Sequence, residues 1–214
     1  MMVGMKTYYQ DDYCTIYHGD CRDVLPTLGK VDLVLTDPPY GIQDKWVGGF
    51  SDKRGWGKAV KENDGRKTWD GAPPSRATID AAVNAGTIAI VWGGNYFALP
   101  PSRCWLVWNK PERGFTLAEG ELAWTNADNV LRVFDCNRSD PGRSHPTQKP
   151  VELMRWCMGL PWSKDAQTIL DPFMGSGTTL RAAKDLRRKC IGIEMEEKYC
   201  EIAARRLQQE VLAL

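Results

Sequence analysis

Histidine is nearly missing from this chain: His18 and His145 are the only two in 214 residues. The seven cysteines, at 14, 21, 104, 136, 157, 190 and 200, are odd in number and scattered, and no Cys-x-x-Cys pair occurs. No metal site and no disulfide framework are therefore expected, and a reducing cytoplasm is the expected compartment. No apolar run is long enough to span a membrane, and the start, Met1-Met2-Val3-Gly4-Met5-Lys6, lacks the apolar core of a signal peptide. Charge of one sign is also lacking, since the formal net charge is +1. Any contact with nucleic acid must then come from a local patch and not from overall charge. No internal repeat is present.

What is there suits a soluble domain with a sizeable core: 43% hydrophobic and 26% charged residues. The length predicts one domain over 1–214, with some surplus for insertions. Strands are expected at 13–18, 31–36, 87–92, 104–108, 121–125, 130–134, 167–170 and 189–193. Helices are expected at 21–28, 75–85, 151–158, 178–186 and 196–212. Strand, helix and strand in close succession near the start indicate a βαβ unit and a parallel sheet. The fold class is therefore α/β, with helices on both faces of a mostly parallel sheet. Between the strand at 31–36 and the helix at 75–85 lies a different stretch. Residues 41–74 hold seven glycines, three tryptophans and seven Lys/Arg against five Asp/Glu, with no steady period. Such a segment is expected to be a long flexible loop, either functional or a solvated insertion.

Two constellations carry chemistry. The first follows the strand at 167–170: Asp171-Pro172-Phe173-Met174-Gly175-Ser176-Gly177-Thr178, opening a helix. Glycines let the backbone turn tightly and let a ligand approach. About twenty residues on, a strand ends at Glu194, an acid suited to a ribose diol. Strand, turn, helix, strand and acid in this order point to a nucleoside-bearing cofactor. The Gly175-x-Gly177 spacing and the lack of a Gly-Lys-Thr phosphate grip argue against NAD and ATP. The second constellation is Asp37-Pro38-Pro39-Tyr40, at the end of the apolar run 31–36. An exocyclic amine on a base is a poor nucleophile because its lone pair is delocalised into the ring. The Asp37 carboxylate and the Pro38 carbonyl could hold its two hydrogens and favour a pyramidal nitrogen, while Tyr40 stacks on the base. The plainer alternative is a proline turn that ends a strand.

These two motifs, together with His145-Pro146-Thr147-Gln148-Lys149-Pro150, resemble the amino-type DNA methyltransferases that use S-adenosylmethionine. The order, tetrapeptide first and cofactor turn last, is the circularly permuted order of the beta group, especially of small phage and prophage adenine enzymes. The resemblance covers roughly residues 13–204 and leaves out 41–74. It implies a Rossmann-like methyltransferase domain, a mostly parallel seven-stranded sheet with one antiparallel edge strand, and no metal. It also implies roles. Asp37, Pro38, Pro39 and Tyr40 would hold the flipped base, with Asp37 also near the cofactor. Asp171, Phe173, Gly175, Ser176, Gly177 and Thr178 would line the cofactor, and Glu194 its ribose. Asp20 would bond near the cofactor adenine, and His145, Thr147 and Lys149 would lie by its methionine end. Asp at position 37, where cytosine-N4 relatives usually carry Ser, favours adenine N6.

Bland readings stand beside several of these. Asp20 could simply cap the helix at 21–28, and Glu121 could be a strand-edge charge. Gly93-Gly94-Asn95 could border the base pocket or be a plain turn. The tryptophans at 92, 105, 108 and 124 are expected in the core, and Arg138 and Arg143 either touch phosphate or are solvated. About ten residues separate Phe134 from His145, too few for a target-recognition domain. Double-stranded DNA would then be read by 41–74, by 135–144, or by a second subunit of a homodimer. A cytosine-N4 DNA methyltransferase, an RNA adenine or protein-glutamine methyltransferase, and a non-catalytic nucleic-acid-binding module remain as rivals.

Overall fold

The computed structural model describes residues 7–41, 73–113, 118–137 and 148–209. The strands are β1 (Thr7–Gln10), β2 (Cys14–His18), β3 (Val31–Thr36), β4 (Gly86–Trp92), β5 (Trp105–Asn109), β6 (Gly120–Thr125), β7 (Arg132–Asp135), β8 (Thr168–Asp171) and β9 (Lys189–Glu194). The helices are α1 (Cys21–Val24), α2 (Arg76–Asn84), α3 (Val151–Gly159), α4 (Thr178–Asp185) and α5 (Glu197–Gln208). Among the described residues the strands form one nine-stranded sheet in the order β1-β2-β9-β8-β3-β4-β6-β5-β7. Nine strands are present where the resemblance implied seven; each has a counterpart among the strands expected from the sequence except short β1, which extends one edge. The expectation of a single antiparallel edge strand is also corrected. β1 is antiparallel at one edge, but β6 runs antiparallel in the interior, between β4 and β5.

The sheet separates two apolar layers. Leu33 and Leu35 of β3 face a cluster with Leu153, Met154, Cys157 and Met158 of α3, Leu180 of α4, and Cys200 and Leu207 of α5. Val34 faces the other layer, with Val24 of α1 and Ala82 of α2. Side chains alternate across a strand, so a central strand covered on both sides must be apolar on both. Trp92, Trp108 and Trp124 are core residues, as expected. The indole N–H groups of Trp108 and Trp124 donate to the carbonyls of Cys136 and Pro100, both at 2.7 Å.

The pairing of β3 with β8 positions everything that follows. Leu33 lies opposite Ile169 and Val34 opposite Leu170. One exposed carboxylate helps fix that register: Asp32 Oδ2 accepts from the backbone N–H groups of Gln167 and Thr168, both at 2.9 Å, and from the Thr168 hydroxyl at 2.8 Å. From β3 the chain goes by α2 to β4 on one side. From β8 it goes by α4 to β9 on the other. Neighbouring strands whose connections diverge leave a crevice outside their carboxyl ends, where ligands bind in open α/β sheets. Asp37 and Asp171 stand at that crevice. Most of the 41–74 segment, expected as a flexible loop, lies outside the described residues.

Candidate active site

Pro38 and Pro39 cannot donate to the ladder, so the chain leaves the sheet after β3 and the Asp37 carboxylate stands at its edge. Pro38 is buried and Pro39 half-buried. Tyr40 donates its hydroxyl to Asp37 Oδ1. Lys149, two residues before α3, places Nζ 2.6 Å from Asp37 Oδ2 and 3.1 Å from the Tyr40 hydroxyl. Behind it, Glu121 of β6 brings Oε2 within 2.9 Å of the same Nζ, and Glu121 Oε1 accepts from Lys110, the residue after β5. The Lys149 and Lys110 side chains are only 5% and 7% exposed. Two ammonium groups and two carboxylates thus alternate as Lys110, Glu121, Lys149 and Asp37. The chain of charges is neutral in sum, which burial demands.

Their protonation follows from this order. Burial pushes the Asp37 carboxyl above its usual range, against the pull of Lys149. Burial also opposes the charge on Glu121, but Lys149 and Lys110 overturn that and hold it at about 2. Burial works against Lys149 too, yet the carboxylates of Asp37 and Glu121 keep it well above the usual lysine range. Burial and the Asp37 charge raise the Tyr40 hydroxyl well above its ordinary value, so it remains a donor. Lys149 is therefore firmly charged, and Asp37 is the member that protonates first as pH falls.

The Tyr40 ring is held as tightly as its hydroxyl. It stacks on Tyr96 at 4.9 Å between centroids and 20° between planes, and meets Phe97 edge-on at 6.3 Å. Gly93, at the end of β4, has φ +66, and a Cβ there would stand 2.1 Å from Tyr40 Cε1. Only glycine fits both the backbone and the ring.

The second half of the site begins at the end of β8. Asp171 is 3% exposed, and its Oδ1 accepts from the Thr36 hydroxyl at 2.7 Å and the Phe173 N–H at 3.2 Å. Burial raises its carboxyl to about 6, against the hydrogen bonds of Thr179, Thr36 and Phe173. The chain then turns through Gly175 (φ +50) and Gly177 (φ +77), the residue that opens α4. A Cβ on Gly177 would stand 2.8 Å from Ala203 Cβ of α5, whereas one on Gly175 would meet nothing within 4 Å. Glu194, ending β9, accepts from the N–H groups of Gly175 at 3.0 Å and Glu196 at 2.8 Å. Burial pushes this carboxyl up while the backbone donors pull it down.

A nucleoside-bearing cofactor fits these groups. The Glu194 oxygens accept backbone N–H groups, among them those of Gly175 and Glu196, and keep lone-pair capacity for a diol. The open side of Gly175 leaves room for a ligand against the backbone, and half-buried Phe173 offers an apolar wall. The structure also places the other expected residues. Asp20 caps α1, accepting from the Arg22 N–H at 2.9 Å and pairing with the Arg22 guanidinium at 2.5 Å. Gly19 beside it donates to the Glu194 carbonyl at 2.9 Å, so Asp20 adjoins the end of β9. Ser176 is buried, and the Thr178 hydroxyl accepts from Arg206 of α5 at 3.2 Å. Lys149 is bound to Asp37, Tyr40 and Glu121. His145 and Thr147 lie outside the described residues, as do Arg138 and Arg143. Among the described residues no group of three His, Cys, Asp or Glu is placed to hold a metal ion, and no helix is long and apolar enough to cross a membrane.

Sequence reasoning passed over Thr36, Tyr96, Phe97 and Lys110, and took Glu121 for an edge charge. Only Glu121 left a signal, an acid inside the strand Gly-Glu-Leu-Ala-Trp.

The chain is similar to known proteins in sequence and in fold. Residues 103–205 match the family model N6_N4_Mtase, described as DNA methylase. The type II methyltransferase M2.LlaDCHI of Lactococcus lactis subsp. cremoris is 25% identical, over 95% of this chain and 93% of its own length. The type II methyltransferase M2.DpnII of Streptococcus pneumoniae is 50% identical over 66 residues, 31% of this chain and 24% of its own length. M.HinfI of Haemophilus influenzae is 46% identical over 31% of this chain and 18% of its own length. The chain thus spans less than a quarter of these last two relatives. Among solved structures, M1.HpyAVI in complex with SAM is 22% identical and superposes with a TM-score of 0.58 over 92% of this chain and all of the other. The cytosine-N4-specific PvuII DNA methyltransferase is 17% identical, with a TM-score of 0.60 over 98% of this chain and 92% of the other. At these identities the two structures show a shared fold. The three motifs, the family match over residues 103–205 and these relatives make the chain similar to the amino DNA methyltransferases.

Proposed function

We propose that this chain transfers a methyl group from S-adenosylmethionine to the N6 amino group of adenine in double-stranded DNA. The observation that carries the reading is the Asp37 carboxylate at the crevice beside Asp171, with Tyr40 fixed next to it. When bound, S-adenosylmethionine supplies a methyl group on a positively charged sulfur. The chain's own residues supply position. Glu194 and the open backbone at Gly175 hold the ribose end. Each Asp37 oxygen already accepts one hydrogen bond and keeps a lone pair for the target amine. The Pro38 carbonyl is the second acceptor, held in fixed relation to the carboxylate by two proline rings. With both amine hydrogens engaged, the nitrogen lone pair would be directed at the methyl group, whose bond to sulfur breaks as the N–C bond forms, and Asp37 would take the surplus amine proton on its way to solvent. This is catalysis by positioning, and it involves no covalent bond to the protein.

The base must leave the duplex to reach Asp37, at an expense of a few kcal/mol. Stacking on Tyr40 offsets roughly 1–3 kcal/mol of it. Cytosine N4 is also an exocyclic amine, and the fold is shared with a cytosine-N4-specific enzyme. Asp rather than Ser at position 37 supports adenine. Labelled-methyl transfer onto unmethylated duplex DNA, followed by nucleoside mass spectrometry, tests both parts. N6-methyladenine is expected, with transfer abolished in Asp37→Ala. N4-methylcytosine as the sole product would overturn the choice of base, and no transfer at all would overturn the reaction.

A further inference from the structure

Resting on that reading, we propose that Glu121 and Lys110 are positioning residues of the amine site. Through Lys149 they fix which Asp37 lone pairs remain for the target amine. Neither residue lies in the tetrapeptide or the cofactor turn. Both come from the interior antiparallel pair β5 and β6, on the far side of β4 from β3. Lys110 holds Glu121 Oε1, and Glu121 Oε2 lies 2.9 Å from Lys149 Nζ. Lys149 in turn lies 2.6 Å from Asp37 Oδ2 and 3.1 Å from the Tyr40 hydroxyl.

The geometry has a chemical consequence. A lysine ammonium has three N–H donors and a four-carbon stem, so it does not by itself define a direction. Held by Asp37, Tyr40 and Glu121 together, it has one position. Without Glu121 it could swing toward the remaining lone pairs of Asp37, where the amine must bind. Glu121 therefore keeps Lys149 on one side of Oδ2. The groups facing Asp37 are Tyr40 from its own turn, Lys149 from before α3, Glu121 from β6 and Asp171 from β8, with Lys110 one step behind. Glu121 is a like charge to Asp37, so its removal lets Asp37 stay ionised at lower pH.

The test compares wild type, Glu121→Gln, Glu121→Asp and the double variant Lys110→Met/Glu121→Gln in steady-state methyl transfer across pH, using the full chain. The double variant removes one charge of each sign and keeps the net charge of the site, so it carries the comparison if Glu121→Gln alone does not fold. For Glu121→Gln and the double variant, kcat is expected to fall roughly ten- to a hundred-fold. The KM for cofactor should stay within about two-fold of wild type, and the acid limb of kcat should move to lower pH. Glu121→Asp should recover part of kcat. An unchanged kcat, an unmoved acid limb, or a cofactor KM that rises in step with the loss would overturn the assignment. A readout on wild type needs no folded variant: buried, ion-paired Lys110 and Lys149 ammonium groups should give slowly exchanging nitrogen-15 signals, and rapid exchange of both would also overturn it. Wild type that transfers no methyl to any base sinks the methyl-transfer reading instead.

Discussion

At the scale of single residues, Asp37 is crowded before any substrate arrives, since Tyr40 and Lys149 occupy one lone pair on each oxygen. The room left is for one amine, which suits a site that must orient a weak nucleophile. Tyr96 adds a second constraint. It is 51% exposed, yet it stacks on the Tyr40 ring and so covers one of its faces. A target base then has the other face, or must displace Tyr96. In either case Tyr96 sets the plane of the stacking platform. Aromatic pairs of this kind contribute about 0.5–1.5 kcal/mol beyond area burial. Tyr96→Ala is therefore expected to weaken capture of the flipped base by roughly two- to ten-fold, while Tyr96→Phe leaves it unchanged. The fluorescence of 2-aminopurine at the target position reports that capture directly. Equal signals from wild type and Tyr96→Ala would remove Tyr96 from the platform.

At the scale of elements, the site is set by where β3, β4 and β8 end. Gly93 lets β4 close against Tyr40, because its φ is +66 and its missing Cβ would overlap the ring. Gly93→Ala should destabilise the fold by roughly 1–2 kcal/mol from the left-handed backbone alone. It should also push Tyr40 off Asp37 and lower methyl transfer by roughly a hundred-fold. Gly159→Ala is the contrast, since a Cβ at this end of α3 meets nothing within 4 Å. It should leave activity intact, with thermal unfolding and labelled-methyl transfer measured on both variants. Much of this layout was legible in the sequence. The run at 87–92 and the middle of the run at 31–36, Leu33-Val34-Leu35, are apolar on both faces, which marks central parallel strands, and Ser75 caps α2 where the residue type predicted. Thr7-Tyr8-Tyr9-Gln10 carried no such signal, because an edge strand with both ends exposed needs no apolar run. The interior place of β6 was hidden for a different reason. Strand order depends on pairing between segments far apart in the chain, and local pattern does not encode it. Glu121 was misjudged by the same physics. Its partners Lys110 and Lys149 are 11 and 28 positions away, so the acid looked like an edge charge until the fold brought them together.

At the scale of the whole molecule, the carboxylates divide into two groups with opposite effects on stability. Asp11 joins β1 to β2, accepting from the N–H groups of Tyr13 and Cys14 at 2.8 and 2.7 Å and from Tyr9 and Lys184. Burial would raise its carboxyl, but those hydrogen bonds hold it at about 2, and Glu121 is held at about 2 as well. A folded-state value below the unfolded one contributes stability above the unfolded value, and that stability is lost as pH falls toward 2. Asp171 has the opposite sign. Its folded value of about 6 exceeds the ordinary 3.8, so its contribution is full below 3.8 and is lost as pH rises through 6. Burial shifts Asp37 and Glu194 in the same direction as Asp171. Together these groups move the stability maximum toward the acidic side of the usual range of about 5 to 8. Asp171→Asn keeps the shape and an acceptor for the Thr36 hydroxyl but cannot ionise. It should be more stable than wild type at pH 8, by on the order of 1–3 kcal/mol, and no different at pH 4. Thermal unfolding at the two pH values decides this, and an equal gain at both would show that ionisation is not the cause. The same variant should bind cofactor more weakly if, as proposed, the crevice at Asp171 holds the ligand, because the charge that destabilises the fold sits there. A carboxylate that weakens the molecule at neutral pH, and yet stands beside Asp37 on the adjacent strand, is what a site retained for chemistry and not for stability should contain.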